Sequence, residues 1–466
     1  MSSDISQFPS HILLPEPFLQ YHPERNEDRH RHPLLGLSEF GPFSQSFSNY
    51  MYNPIRVAAI VPKGKTNVVK NLISELESEH APKERKAYLV PYKGFSSVFR
   101  LRIAAAKETV LLELPASLER NLTESESPNI LLAEELNKAI SALQAHRTEF
   151  DVLMIYLPDH WQSGFYGKEN EDFDLHDFLK GLTATRSIPL QIITNNALEY
   201  FCRASVMWRL SIAIYCKAGG IPWKLSDSAP ETAYIGLSYA VRNTKNHGPR
   251  FVTCCSQVFD EDGSGLEFIA YETSESHQDY ENPYLSRTEM RRVMARSLRL
   301  YQQRHGGRVP KKVVVHKSFD FTRDEVEGCF DAWKSAEGLH LIQIQGNAIW
   351  RGITYERPFG KEEKARPSNY PILRGTSVQL DGKSCLLWTQ GNAPTAVGGK
   401  NFFKEGKGIP KPLLLVRHAG HGTWDEDCNA ILGLSKMNWN NDGLYDFLPV
   451  TLGYSEVLAR TVKRIP

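Results

Sequence analysis

His176-Asp-Phe-Leu-Lys180, Gln191-Ile-Ile-Thr194 and Trp208-Arg-Leu-Ser-Ile-Ala-Ile-Tyr-Cys-Lys217-Ala-Gly-Gly-Ile-Pro-Trp-Lys-Leu225 follow one another within one stretch of the chain. His176 and Lys180 are four apart, so on a helix they share a face. Gln191 opens a β-branched run that reads as a buried strand after that helix. Lys217 closes a second helical run, which stops at Gly219-Gly220 with Pro222 beyond. Two helices and a strand thus deliver an imidazolium, two ammoniums and an amide. Such convergent donors suit a phosphate, which offers several acceptor oxygens and negative charge. Taken singly these residues are ordinary; the ordered set carries the reading.

The bulk properties set limits around that stretch. The chain has 466 residues, 41% hydrophobic and 23% charged, which fits a soluble globular protein of about three domains. No apolar run approaches the ~18 residues needed to span a bilayer, so no membrane partner is expected. No basic segment followed by an apolar core opens the chain. Seven cysteines with no C-x-x-C pair argue against a disulfide framework or a zinc site. A reducing cytoplasm fits. The net charge of +1 neither advertises nor excludes nucleic acid, since local basic surface matters more than the sum.

Taken in order, residues 1–50 are rich in Pro, His, Arg and Ser without a sustained period, and read as an irregular arm. From about 55 to 225 strands and helices alternate. Strands are expected at Ile55–Val61, Thr109–Leu114 and Asp151–Leu157, helices at Asn67–Glu79, Asn129–His146 and Leu198–Lys217. This rhythm means a parallel sheet covered by helices. From about 230 three close strands (Ala233–Tyr239, Phe251–Gln257, Phe268–Tyr271) suggest an antiparallel meander. A helix over Ser286–His305, a strand over Lys311–His316 and a helix over Arg323–Ala336 follow. Strands near 340–345, 377–380, 385–389 and 413–417 and helices near 425–432 and 455–463 finish the chain. The fold class is α/β.

His176, Lys180, Gln191 and Lys217 resemble, in order and approximate spacing, the 5′-phosphate pocket in the MID domain of Argonaute proteins. His32-Pro-Leu-Leu-Gly-Leu-Ser-Glu-Phe-Gly-Pro-Phe43 and Leu434-Ser-Lys-Met-Asn-Trp-Asn440 also resemble Argonaute segments. The chain looks like a short prokaryotic Argonaute. The resemblance implies a Rossmann-like MID domain over 51–228 and an RNase H-like PIWI domain over 229–466. Arg203, near the start of the long helix, is a further candidate for the pocket. The resemblance also implies a Mg²⁺ beside the phosphate, with Gln191 and the terminal Pro466 carboxylate as ligands. Arg351, Lys364, Arg374 and Arg417 are candidates for contacts to a duplex backbone.

An RNase H-like nuclease holds two divalent metals with a cluster of carboxylates. Where the family places its first two aspartates, this chain has Ser238 and Ser318; Glu456 is nearest to the last ligand. Two neutral hydroxyls cannot replace two carboxylates. A register shift of two would bring Asp320 to the site, but past the end of the strand. The resemblance therefore implies a non-cleaving sensor with a guide RNA and a target DNA. Its partner would be an APAZ-containing effector chain that supplies activity, with a sirtuin-like NADase favoured over a TIR domain or a nuclease. The setting would be defence against phage or plasmid, with a higher oligomer on activation. The rivals are an active slicer and an α/β module for a small phosphorylated ligand. Loaded with guide, the purified chain is expected to leave a matched target uncut in Mg²⁺ or Mn²⁺. A cut that vanishes on Asp320→Ala would overturn this expectation.

Overall fold

The computed structural model describes residues 10–47, 50–84, 89–168, 173–242, 251–273, 276–279, 282–334, 338–356, 365–403, 408–440 and 443–463. Two sheets organise them. The first is parallel throughout. Ile55–Val61 lies at its centre, with Ile103–Ala105 and Leu111–Glu113 on one side and Val152–Leu157 then Leu190–Thr194 on the other. Its strands are continuous apolar runs because both faces are buried. Successive residues of the central strand serve different cores. Val57, Ala59 and Val61 pack with Leu72, Trp208 and Tyr215. Ala58 and Ile60 pack with Leu132, Leu136 and Leu179 from the helices Pro128–Gln144 and Leu175–Ala184.

The second sheet has nine strands. Its order is His11–Leu13, Thr376–Gln379, Ser384–Leu387, Leu413–Ala419, Gly338–Gln345, Lys312–Lys317, Thr232–Arg242, Phe251–Phe259, Gly265–Thr273. The middle of it, from Gly338–Gln345 through Lys312–Lys317 to Thr232–Arg242, is parallel, and the remaining pairs are antiparallel. Ile235, Leu237, Val313 and Val315 face Met290, Val293 and Met294 of the helix Arg287–Arg304. Tyr234, Val314 and Ile342 face the other way, into the core that also holds Val57 and Trp208. One apolar core thus runs through both sheets.

The helix Val450–Lys463 crosses the Thr232–Arg242 strand at Gly236. A Cβ there would collide with the Thr451 carbonyl, so only glycine allows the approach. Thr451 Oγ1 is 2.8 Å from His316 Nδ1 on the neighbouring strand. The same helix packs against Leu175–Ala184.

Residues 10–47 are not the irregular arm expected from the sequence. His11–Leu13 forms the edge of the large sheet, and Leu19–Gln20 pairs with both Arg29–His30 and Lys224–Leu225. Pro33–Phe40 is a helix capped by the His32 side chain, with Pro33 in its first turn. Strands of two or three residues carry no readable period, which is why the sequence hid them. The long helix expected over Leu198–Lys217 is two pieces, Asn195–Glu199 and Arg203–Lys217. The strand expected from Thr109 begins at Leu111, after a short turn of helix.

Glu16 fastens this amino-terminal segment. Its carboxylate is buried, 2.9 Å from Arg374 Nε and 2.7 Å from Lys436 Nζ. Burial raises its pKa, but the two cations outweigh that and hold it below the ordinary carboxylate value. Glu16→Ala leaves both cations buried without their counter-charge and is expected to cost about 3–5 kcal/mol. Urea unfolding measures this; a loss under about 1 kcal/mol, the range of an exposed pair, would show the network to be dispensable.

Candidate functional site

Asp174 caps the helix Leu175–Ala184, accepting from the Asp177 amide at 3.1 Å. That fixes where the helix starts and places His176 and Lys180 on one face. Gln191 is the second residue of its strand and donates from Nε2 to the Ile192 carbonyl at 2.9 Å. This turns its Oε1 outward. Lys217, the last residue of Arg203–Lys217, donates from Nζ to that Oε1 at 2.6 Å.

Electrostatics ties the rest together. Burial, and after it the nearby Lys180, lower the Lys217 pKa to about 8. Lys180 is itself lowered, first by burial; Asp177 opposes this and Arg460 adds to it. His176 is lowered by burial and then by Lys180, with Asp177 and Asp174 opposing. The direction is away from the imidazolium read from the sequence, although His176 itself is exposed. Arg460 is exposed on the helix that packs against Leu175–Ala184, and the sequence reading missed it. The one local hint is that it lies a turn beyond Glu456. Lys180, Lys217, Arg460, His176 and the Gln191 amide thus form one group. Among the described residues no ion pair to Lys180 or Lys217 is present. Cations that lower each other's pKa are relieved by a shared anion.

Arg203 does not join them. It begins the helix that Lys217 ends, about 21 Å away at 1.5 Å per residue. It is held by Glu75 at 2.5 and 2.6 Å and donates to the Ala197 carbonyl. Arg374 and Arg417 are also corrected: neither faces a duplex. Arg374 is buried on Glu16, the Thr389 and Leu432 carbonyls and Ser435. Arg417 is buried against Asp427 at 2.6 Å. Arg351 is exposed and bonds the nearby carbonyls of Ala348 and Trp350. Lys364 and Pro466 lie outside the described residues.

The Mg²⁺ expected at Gln191 meets a poor donor set. The Gln191 oxygen is occupied by the Lys217 ammonium, and Lys180 lies close enough to lower the Lys217 pKa. The described residues alone do not fit a divalent ion. Asp174, His176 and Asp177 place one donor atom each within 4.8 Å, but Asp174 is already committed to its cap.

The nuclease-like positions come together on one face. Leu237 pairs with Lys317, so Ser238 and Ser318 are level on adjacent strands, on the side where Val450–Lys463 packs. Ser318 Oγ donates to Glu456 Oε1 at 3.4 Å. Ser318 and Glu456 line an open cavity of about 480 Å³ with Gln343, Gln345 and Asn347. Burial raises the Glu456 pKa, only partly countered by Ser318 and Arg460. Asp320 lies beyond the strand end, bonded to Tyr284 at 2.5 Å. Glu325 is buried on the opposite side, gripping Lys317 at 2.8 Å through both oxygens.

No family model matches the chain. It is 22% identical over 320 residues to "Protein argonaute" of Aquifex aeolicus (strain VF5), covering 68% of this chain and 39% of that protein. Its fold is similar to that of Clostridium butyricum Argonaute bound to a guide DNA (5′ deoxycytidine) and a 19-mer target DNA. There the TM-score is 0.66 at 17% identity, over 100% of this chain and 54% of that one. A crystal structure of Aa-Ago with externally-bound siRNA gives 0.60 at 16% identity, over 97% and 54%. The chain spans about half the length of these structures. Its fold is Argonaute-like.

The depressed Lys217 makes anion binding pH-dependent. Its folded pKa lies below the ordinary 10.5, so its buried charge costs stability below about 8, and the cost is relieved as pH rises from there to 10.5. Affinity for an anion runs the other way, because the anion needs the proton. Inorganic sulfate, a dianion throughout this range, should bind with affinity falling toward about tenfold per pH unit above the Lys217 pKa. Titration calorimetry checks this. A flat profile, or one unchanged in Lys217→Met, would remove Lys217 from the site.

Proposed function

We propose that the chain is a guide-dependent nucleic-acid sensor that binds a short 5′-phosphorylated strand and a complementary target without cutting it. The single observation carrying this is the electrostatic grouping of Lys180, Lys217, Arg460 and His176, with Gln191 bonded to Lys217 and no ion pair to either lysine among the described residues. A terminal phosphate supplies the missing charge and takes charge-assisted hydrogen bonds from the ammoniums and the guanidinium. Its charge also favours protonation of His176. Held at one end, the strand displays its bases, and pairing rather than side chains selects the target. The hydroxyls at Ser238 and Ser318 support the non-cleaving part: one carboxylate with a raised pKa is too little charge for two divalent metals.

The finer parts rest on the resemblance. They are an RNA guide, a DNA target, a Mg²⁺ at the phosphate and an APAZ-containing effector chain activated when target pairs. The descriptions of the similar structures name a guide DNA with target DNA in one case and siRNA in the other. Strand chemistry is therefore tested directly, by sensitivity of the copurified oligonucleotides to RNase or DNase. Short 5′-phosphorylated oligonucleotides should copurify; mononucleotides would favour a small-ligand module instead.

Lys180→Ala with Lys217→Ala should weaken binding of a 5′-phosphorylated oligonucleotide by about 3 kcal/mol or more, roughly a hundredfold. The 5′-hydroxyl strand should bind both proteins equally weakly, and circular dichroism should show the double variant folded. Unchanged affinity in the folded variant sinks the pocket.

A further inference from the structure

Cys385 and Cys428 are buried in the seam between the strand Ser384–Leu387 and the helix Trp424–Leu434. Their sulfurs are 3.8 Å apart. Ser377 Oγ is 3.5 Å from the first and 4.0 Å from the second, a polar group lodged between two thiols in an otherwise apolar layer. We propose that this pair is an oxidation site, where hydrogen peroxide closes a disulfide that ties the helix to the sheet.

The two thiols are not equivalent. Hydrogen bonding from Cys428 and Ser377 outweighs burial at Cys385 and lowers its pKa. Cys428 is raised, by its bond to Cys385 and by burial. Cys216 and Cys329 are raised by burial. Ser377 Oγ also lies nearer Cys385, at 3.5 Å against 4.0 Å, which makes Cys385 the attacking sulfur and Cys428 the resolving one. The Cys385 thiolate attacks one peroxide oxygen and the O–O bond breaks. Cys385 becomes a sulfenic acid, and the departing hydroxide takes a proton to leave as water. The Cys428 sulfur then attacks the Cys385 sulfur, displacing hydroxide, which takes the Cys428 proton and leaves as a second water. Two thiols lose one electron each and one peroxide gains two. The sulfurs must close by about 1.8 Å to reach a bond of about 2.05 Å.

Burial decides which oxidant works. Neither sulfur is open to a bulky disulfide, so thiol–disulfide exchange is shut out and a small peroxide is favoured. The bond would also bear on its neighbours. Asp427, beside Cys428, holds His340 at 2.9 Å and Arg417 at 2.6 Å.

The test uses the intact chain, treated with hydrogen peroxide under native conditions, alkylated and digested. A peptide joining Cys385 to Cys428, lighter by two hydrogens than the reduced pair and lost on adding dithiothreitol, is the expected result. The oxidised chain should melt at a higher temperature than the reduced one, and Cys385→Ser should abolish the linked peptide. Absence of the linked peptide in the wild type, or linkage of either residue to another cysteine, overturns the proposal; this readout needs no variant to fold.

Discussion

Like charges crowded into a half-buried space repel, and the fold must hold them there. Lys180, Lys217 and Arg460 come from three helices, and the two lysines are weakened as bases, first by burial. Left to itself such a group would splay apart. It stays together because its helices are tied to two sheets that share one core, and because Gly236 lets Val450–Lys463 settle directly on the large sheet. An anion placed among these groups would relieve that repulsion.

Val450–Lys463 links the two functional places in the molecule. Over successive turns it offers Thr451 to His316, Glu456 to Ser318, and Arg460 to the neighbourhood of Lys180. The cationic group and the cleft at Ser318 therefore share one helix.

Much of this was legible in the sequence. The continuous apolar runs at 55–61 and 152–157 announced a parallel sheet buried on both faces, and the order of His176, Lys180, Gln191 and Lys217 put four side chains into one group. What escaped was what depends on distant chain. Arg460 reaches the site only because its helix packs against Leu175–Ala184, a contact no local period encodes. Arg203 looked suitable by proximity in sequence, but a helix separates its two ends by its whole length. Arg374 and Arg417 looked basic and surface-bound, yet each found a buried carboxylate, Glu16 and Asp427, from another part of the chain.

Those two arginines also explain how a chain of nearly zero net charge can still present a cationic site. A count of basic residues treats every arginine as available. Here some are consumed in the core, where Glu16 and Asp427 neutralise them, while Lys180 and Lys217 are left without an ion pair among the described residues. What matters for an anion is the charge the fold leaves uncompensated in one place, and that is set by which carboxylates the core has already engaged. The same reasoning applies at Ser238 and Ser318, where hydroxyls stand in adjacent strands and the carboxyl of Glu456 is pushed toward its neutral form. Positive charge is thus concentrated around Lys180 and Lys217, while negative charge is weak around Ser318.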